Sequence, residues 1–329
     1  MYTFQEIIGH QEVIHHIQNS ISHKKVSHAY IVDGEEGIGK KTLVLTIAKT
    51  LQCMKKGTEP CNHCISCQTF DSGNHPDVIM VQPTKRKSIG VDDIREQIRD
   101  DIEIKPYQYP YKIYIIEDGD TMTVAAQNAL LKTLEEPPAY GIIFLLSSNY
   151  QRFLPTIVSR CVLLQLKPLS QVQVENYMIH RLQIPDYQAK LYAHFAQGNI
   201  GKAKKIVKDP IFIEMRNQVI EWVDQIHKVD LVSLFQMQKE FEKYKDQIQE
   251  VLDLFYTWYR DILLIKQLGE NPYIIHQDQQ KYLLKQAQGL SYNRIGQCLD
   301  NIRIAKDQLL KNANFQLTIE MLLLKLKES

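Results

Sequence analysis

The sequence predicts an α/β domain built on a doubly wound parallel sheet, followed by a purely helical C-terminal part. Three observations carry that reading. Up to about Pro168, short apolar runs alternate with helical patterns, as in a sheet covered by helices on both faces. One strand-to-helix junction holds a glycine-rich turn, Gly34 to Lys40. Beyond Pro168 the strand-like runs largely vanish and helical periodicity continues to the end.

Residues 28–32, 78–81, 112–116 and 141–146 read as buried strands, because each is almost continuously apolar. Helical patterns lie between them at 41–52, 91–102 and 124–136, the last stopped by Pro137-Pro138. Further on, 170–182 reads as a helix with Ser170 as N-cap, and 186–197 as a second with Gly198 as its stop. A third, 202–208, ends at Asp209-Pro210. Long amphipathic helices follow, interrupted near Asn271-Pro272 and Gly289. The expected organisation is an α/β body over 1–167, a small three-helix unit over 168–208 and an all-α domain over 209–329. No repeat or low-complexity tract interrupts it.

A chain of 329 residues fits two or three domains. Lys plus Arg total 39 against 38 acids, so no long-range pull on nucleic acid is expected from the whole chain. No run approaches the roughly 20 apolar residues of a membrane helix, and residues 1–9 lack a secretion pattern. The expected compartment is the cytoplasm. There, six cysteines point to metal or chemistry rather than disulfides.

Gly34, Gly39 and Lys40 fit G-x-x-x-x-G-K, between a strand and a helix as a phosphate-binding P-loop requires. Glycines let backbone N–H groups turn inward around phosphate, at a helix N-terminus whose dipole favours anions. Gly34, Gly37, Gly39, Lys40 and Thr42 are the candidate nucleotide-binding positions. The loop carries a defect. A hydrolytic P-loop follows its lysine with Ser or Thr, whose hydroxyl holds Mg²⁺. Here Lys41 stands in that place, a cation with no lone pair, and Thr42 comes one residue late, about 100° further round the helix. The strand at 112–116 tells a similar story. It ends in Glu117-Asp118, where a working ATPase of this type shows Asp then Glu, so each carboxylate is displaced by about one C–C bond. An ordinary acidic strand end is the alternative for that pair.

Cys53, Cys61, Cys64 and Cys67 form C-x7-C-x2-C-x2-C. Four converging thiolates complete a closed tetrahedral Zn²⁺ shell, which argues a structural rather than catalytic metal. Lys55 and Lys56 are placed to offset its negative charge, and His63 and His75 are competing ligands. Reactive redox thiols or unligated cysteines are the alternatives. A DNA-binding zinc ribbon fits poorly, since no second C-x2-C lies about 15–20 residues on. The basic triplet Lys85-Arg86-Lys87 is isolated and reads as a solvated loop. Cys161 and Cys298 read as ordinary buried cysteines.

Residues 128–138, Asn-Ala-Leu-Leu-Lys-Thr-Leu-Glu-Glu-Pro-Pro, and then Ser159-Arg160-Cys161 resemble the AAA+ subunits of sliding-clamp loaders. The four-cysteine insertion after the P-loop helix is similar to that of the bacterial tau/gamma and delta-prime subunits. The defective loop and strand end select the delta-prime family of the DNA polymerase III clamp loader. The motifs lie in the first 208 residues or so; the remainder agrees in length and class.

That resemblance implies an arginine finger at Arg160, reaching into the ATP site of an adjacent subunit. A planar, permanently charged fork suits that task; an arginine capping a helix or pairing with a nearby acid is the alternative. It also implies that an active member has a second sensing arginine, in G-x-x-R, where this chain has Gly201. By the same resemblance 168–208 is a lid and 209–329 a collar, with Val251, Leu254, Phe255, Trp258 and Ile262 packing within the domain and across subunits. The implied function is a non-hydrolysing loader subunit. Its partners are tau/gamma and delta subunits and, through the complex, the beta clamp and primer-template DNA. An active tau/gamma-type ATPase is the alternative.

Overall fold

The computed structural model describes residues 2–84, 88–269, 271 and 273–328. The basic triplet at 85–87 and Pro272 therefore lie outside the described residues. The chain divides into two compact units, Met1–Tyr177 with Ala196–Lys202 and Met178–Phe195 with Ala203–Ser329.

The first unit is built on α1 (Gln11–Ser22), β1 (Ala29–Asp33), α2 (Lys40–Gln52), α3 (Ile65–Asp71), β2 (Val78–Val81), α4 (Val91–Ile94), β3 (Lys112–Ile116), α5 (Val124–Glu135), β4 (Gly141–Ser147), α6 (Pro155–Val158) and β5 (Val162–Gln165). The strands form one parallel sheet in the order β2-β3-β4-β1-β5. Strand alternation sends side chains to two cores. Tyr30, Val32, Ile113, Ile115 and Phe144 join Ile14, Ile17, Leu43 and Ile47 of α1 and α2 on one face. Ala29, Ile31, Tyr114, Ile116 and Leu145 join Ile94, Ala126, Leu130 and Ile157 on the other. The sheet is doubly wound, and β1, between β4 and β5, ends at the topological switch point.

The expected strands appear within a residue or so of their sequence bounds, while β5 is an addition. The helix expected over 91–102 is regular only through α4 and then widens over Arg95–Arg99, where Asp100 N bonds to Arg95 O. Ile94, Ile98 and Ile102 nonetheless stay buried.

Three helices follow: α7 (Gln171–Leu182), α8 (Asp186–Ala196) and α9 (Ile200–Lys208). Ser170 caps α7 reciprocally: Gln173 N donates to Ser170 Oγ at 3.3 Å while Ser170 N donates to Gln173 Oε1 at 3.0 Å. Gly198 ends α8 in a left-handed conformation, φ +81°, with no room for a Cβ beside Leu169. Residues 196–202 pack in the first unit, and 178–195 in the second.

The second unit continues with α10 (Pro210–Gln225), α11 (Leu231–Phe241), α12 (Ile248–Leu268), α13 (Gln280–Gly289), α14 (Tyr292–Leu310) and α15 (Phe315–Glu328). Its core centres on Trp222, stacked on Phe241 with centroids 4.1 Å apart, and on Phe255 and Trp258. Val251, Leu254, Phe255, Trp258 and Ile262 are all buried inside this unit, so that stripe is core rather than an outward face. Among the described residues no helix is long and apolar enough to cross a membrane.

Candidate functional site

The glycine-rich loop leaves β1 at the switch point. Gly34 N donates to Ser147 O of β4 at 3.1 Å, and a Cβ on Gly34 would lie 2.8 Å from Leu166 O. Gly37 and Gly39 have φ of +83° and +114°, a region that L side chains rarely adopt. Lys40 opens α2, and its ammonium turns back to donate to the carbonyls of Gly34 and Glu35. Burial lowers the Lys40 pKa, while the carboxylates of Asp33, Asp118 and Asp120 act against that. Thr42 is exposed.

Lys41 points to the strand end. Its Nζ lies 2.6 Å from Glu117 Oε1, the carboxylate that directly follows β3. Asp118 follows in a left-handed conformation, φ +48°. Two of the positions that the sequence marked as departing from an ATPase pattern are thus brought together as an ion pair. Both side chains are about half exposed, at 55% and 41%, so the pair contributes little to stability. Its interest lies in where it places a positive charge.

The outer side of the loop is covered by the start of α9. Asn199, fully buried, donates from Nδ2 to Glu36 O at 2.8 Å and accepts from Lys202 N on Oδ1 at 3.1 Å, capping α9. Gly201 N donates to Gly37 O at 3.0 Å, and Lys202 Nζ lies 3.1 Å from Glu35 Oε2. Hydrogen bonding to Lys202 holds the Glu35 carboxyl below its usual range. The sequence signals only the glycines of this clasp. Asn199 and Lys202 reach the loop through a backbone turn that composition does not reveal.

Arg160 follows α6, stranded between that helix and β5. Its guanidinium donates to Thr156 O at 3.0 Å and pairs with Glu135 Oε1 of α5 at 2.8 Å. Both alternatives weighed for this residue, a helix cap and an acid partner, are met within the chain. The side chain remains 36% exposed. Beside it, burial pushes the Cys161 thiol up to about 12.

The four clustered cysteines converge, with their Sγ atoms within 4.8 Å of one another. Cys61 and Cys67 are 4.0 Å apart at sulfur, too far for a disulfide and near the roughly 3.8 Å that four Zn–S bonds of about 2.3 Å impose on a tetrahedron. Backbone N–H groups point at the sulfurs: Cys61 N at Cys53, Cys64 N at Cys61 and Cys67 N at Cys64, at 3.3, 3.4 and 3.5 Å. Burial acts to raise the Cys61 thiol, but hydrogen bonds from the N–H groups of His63 and Cys64 bring it down to about 6, while burial raises Cys53 and Cys67. This donor set fits a closed Zn²⁺ shell. His75 lies outside it, bonded to Ser66 and packed on Tyr109. His63 turns its ring to the Cys61 carbonyl. The side chains of Lys55 and Lys56 are exposed; the lysine engaged with this module is Lys49, which sequence reading passed over.

A parallel sheet with a glycine-rich turn at its switch point, an arginine beyond β4 and four clustered thiols defines the class: a doubly wound α/β domain with a P-loop-like turn. Family models place it more narrowly. Residues 9–170 match "DNA polymerase III, delta subunit" and residues 211–328 match "DNA polymerase III, delta subunit, C terminal". Among relatives, the chain is 33% identical over 323 residues to the DNA polymerase III subunit delta' of Bacillus subtilis, covering 95% of this chain and 94% of that one. It is 32% identical over 214 residues to the tau subunit of the same organism, covering 63% of this chain and 38% of that one. A gamma subunit-related protein of Thermotoga maritima aligns over 96% of this chain and 98% of its own, at 19% identity and a TM-score of 0.41. The chain belongs to the delta-prime family of DNA polymerase III clamp-loader subunits.

Proposed function

We propose that this chain is a non-hydrolysing subunit of a clamp loader. In this reading it assembles with tau/gamma and delta subunits, offers Arg160 to the ATP site of its neighbour, and acts through the complex on the beta clamp and primer-template DNA. Residues 168–208 serve as the lid and 209–329 as the collar of that assembly. Zn²⁺ on Cys53, Cys61, Cys64 and Cys67 has a structural role.

The Lys41–Glu117 ion pair at 2.6 Å is the observation that carries the non-hydrolysing reading. ATP hydrolysis of the P-loop type needs Mg²⁺ held between a hydroxyl after the loop lysine and a carboxylate at the neighbouring strand end. Here the hydroxyl is replaced by an ammonium that already occupies the carboxylate. A divalent cation would meet a positive charge and lack one of its protein ligands. The partner side of the reading is supported by Arg160. It stands on a loop beyond β4, partly exposed, with a guanidinium fixed by Thr156 and Glu135 rather than free to collapse.

The test is ATP turnover. The purified chain should show none above background with Mg²⁺. Assembled with tau/gamma and delta subunits, it should support DNA-dependent turnover that falls when Arg160→Ala is used. Magnesium-dependent hydrolysis by the isolated chain, lost in Lys40→Ala, would instead establish the active tau/gamma-type ATPase. Undiminished turnover by the Arg160→Ala complex would remove the finger assignment.

A further inference from the structure

We propose that Lys49, buried inside the P-loop helix, is a positioning residue for the four-thiol metal site, tying together the chain segments that present its ligands. The proposal rests on the reading of that site as a zinc centre.

Lys49 is fully buried, an unusual place for a lysine. Burying an ammonium is costly unless every donor is matched. Here the match is complete: its three N–H groups face three oxygens, Asp71 Oδ1 and Oδ2 at 2.8 Å each and Asn62 Oδ1 at 2.6 Å. Those acceptors are not scattered. Asn62 directly follows Cys61 and holds the left-handed conformation, φ +63°, that turns the chain toward Cys64. Asp71 ends α3, the helix that Cys64 caps and that carries Cys67 one turn before Asp71. Lys49 itself lies one turn before Cys53, the residue that terminates α2. One ammonium thus joins all three segments bearing the cysteines.

The role is geometric rather than a simple neutralisation. Asp71 already balances the charge of Lys49, so the pair as a whole does not offset the surplus negative charge of four thiolates around Zn²⁺. Removing the lysine, however, would release Asn62 and leave an unbalanced carboxylate beside an anionic site. Both effects weaken the grip on the metal. Groups that orient ligands in this way typically govern metal affinity by 10–100-fold.

The measurement is a zinc competition titration against a chromophoric chelator, with Co²⁺ absorption as a record of thiolate coordination. Lys49→Met, which keeps the apolar stem, should bind zinc about 10–100-fold more weakly than wild type. Its melting temperature should fall more in the zinc-loaded than in the metal-free protein, because the tether acts through the site. Asn62→Gly keeps the left-handed backbone and removes one of the three acceptors of Lys49; it should weaken zinc severalfold with Co²⁺ still tetrahedral, and it carries the test if Lys49→Met fails to fold. Wild-type zinc affinity in the folded variants, or an equal loss of melting temperature with and without metal, would overturn the proposal while leaving the zinc reading intact. A wild-type chain that takes up neither zinc nor cobalt would overturn both.

Discussion

Gly37 and Gly201 meet backbone to backbone: a Cβ built on Gly201 would lie 2.6 Å from Gly37 Cα and 2.7 Å from Gly37 O. The position where the family resemblance implied an arginine thus has no room even for a Cβ. Glycine is what allows α9 to reach the loop.

Gly201→Ala should then force the clasp apart or strain it, at a cost of about 1–3 kcal/mol. Hydrogen exchange across residues 34–39 should speed up, more than exchange in the sheet. Gly201→Arg should do the same and still yield no ATP turnover. Unchanged exchange in Gly201→Ala would show that the loop is not held by this contact.

Lys41→Ala removes a cation without removing structure. Because the Lys41–Glu117 pair is largely solvated, stability should change by less than about 1 kcal/mol by denaturant titration. A larger loss would mean that the pair is structural rather than an obstacle to metal.

Arg160 and Glu135 separate in their effects. Arg160→Lys should fail to replace arginine in the assembled complex, since an ammonium lacks the planar fork. Glu135→Gln should leave turnover within a few-fold of wild type, because Thr156 O still holds the guanidinium. Steady-state hydrolysis with primed DNA measures both.

The purified protein should hold about one Zn²⁺ per chain, as four thiolates require. Chelation should lower the melting temperature, and acidification should release the metal as thiolates are protonated. Elemental analysis and a pH series of zinc release check this; metal-free protein of unchanged stability would remove the structural metal.

The second unit should be acid-sensitive. Burial lowers the pKa of His194, His227 and His276, the last to about 3 from 6.5. The unfolded chain then binds protons that the native state refuses, so stability rises with pH between about 3 and 6.5 and is lost on acidification through that window. Asp261, buried and raised from 3.8 to about 6, works in the opposite sense, favouring the folded state at the acid end. The histidines should prevail. The chain's two tryptophans, Trp222 and Trp258, both lie in this unit, so their fluorescence reports its unfolding. Stability that is flat from pH 7 to pH 5 would contradict the argument.

Much of the first unit was legible in the sequence because its signals are local. Strands 78–81 and 112–116 are short apolar runs with the bounds of β2 and β3. Ser170 announces α7 three residues ahead of Gln173, its reciprocal partner. The strand β5 escaped because Val162–Gln165 is brief and follows the arginine motif without a turn signal. At the site, local order showed which residues were unusual but not what they touch. Lys41 and Glu117 are 76 positions apart by their numbering, and their meeting depends on β1 and β3 both ending at the same side of the sheet. Glu135 ends α5 like any acidic surface residue, and Lys49 reads as a polar position on an amphipathic helix. Only packing reveals that one pairs with Arg160 and the other has no solvent at all.

Helix α2 begins at the glycine-rich turn and ends at Cys53 of the thiol cluster, a rod of about 20 Å for its 13 residues. A rod resists bending far better than a loop does. One continuous helix therefore fixes the distance between the glycine turn and the thiol cluster, although the two share no side chain.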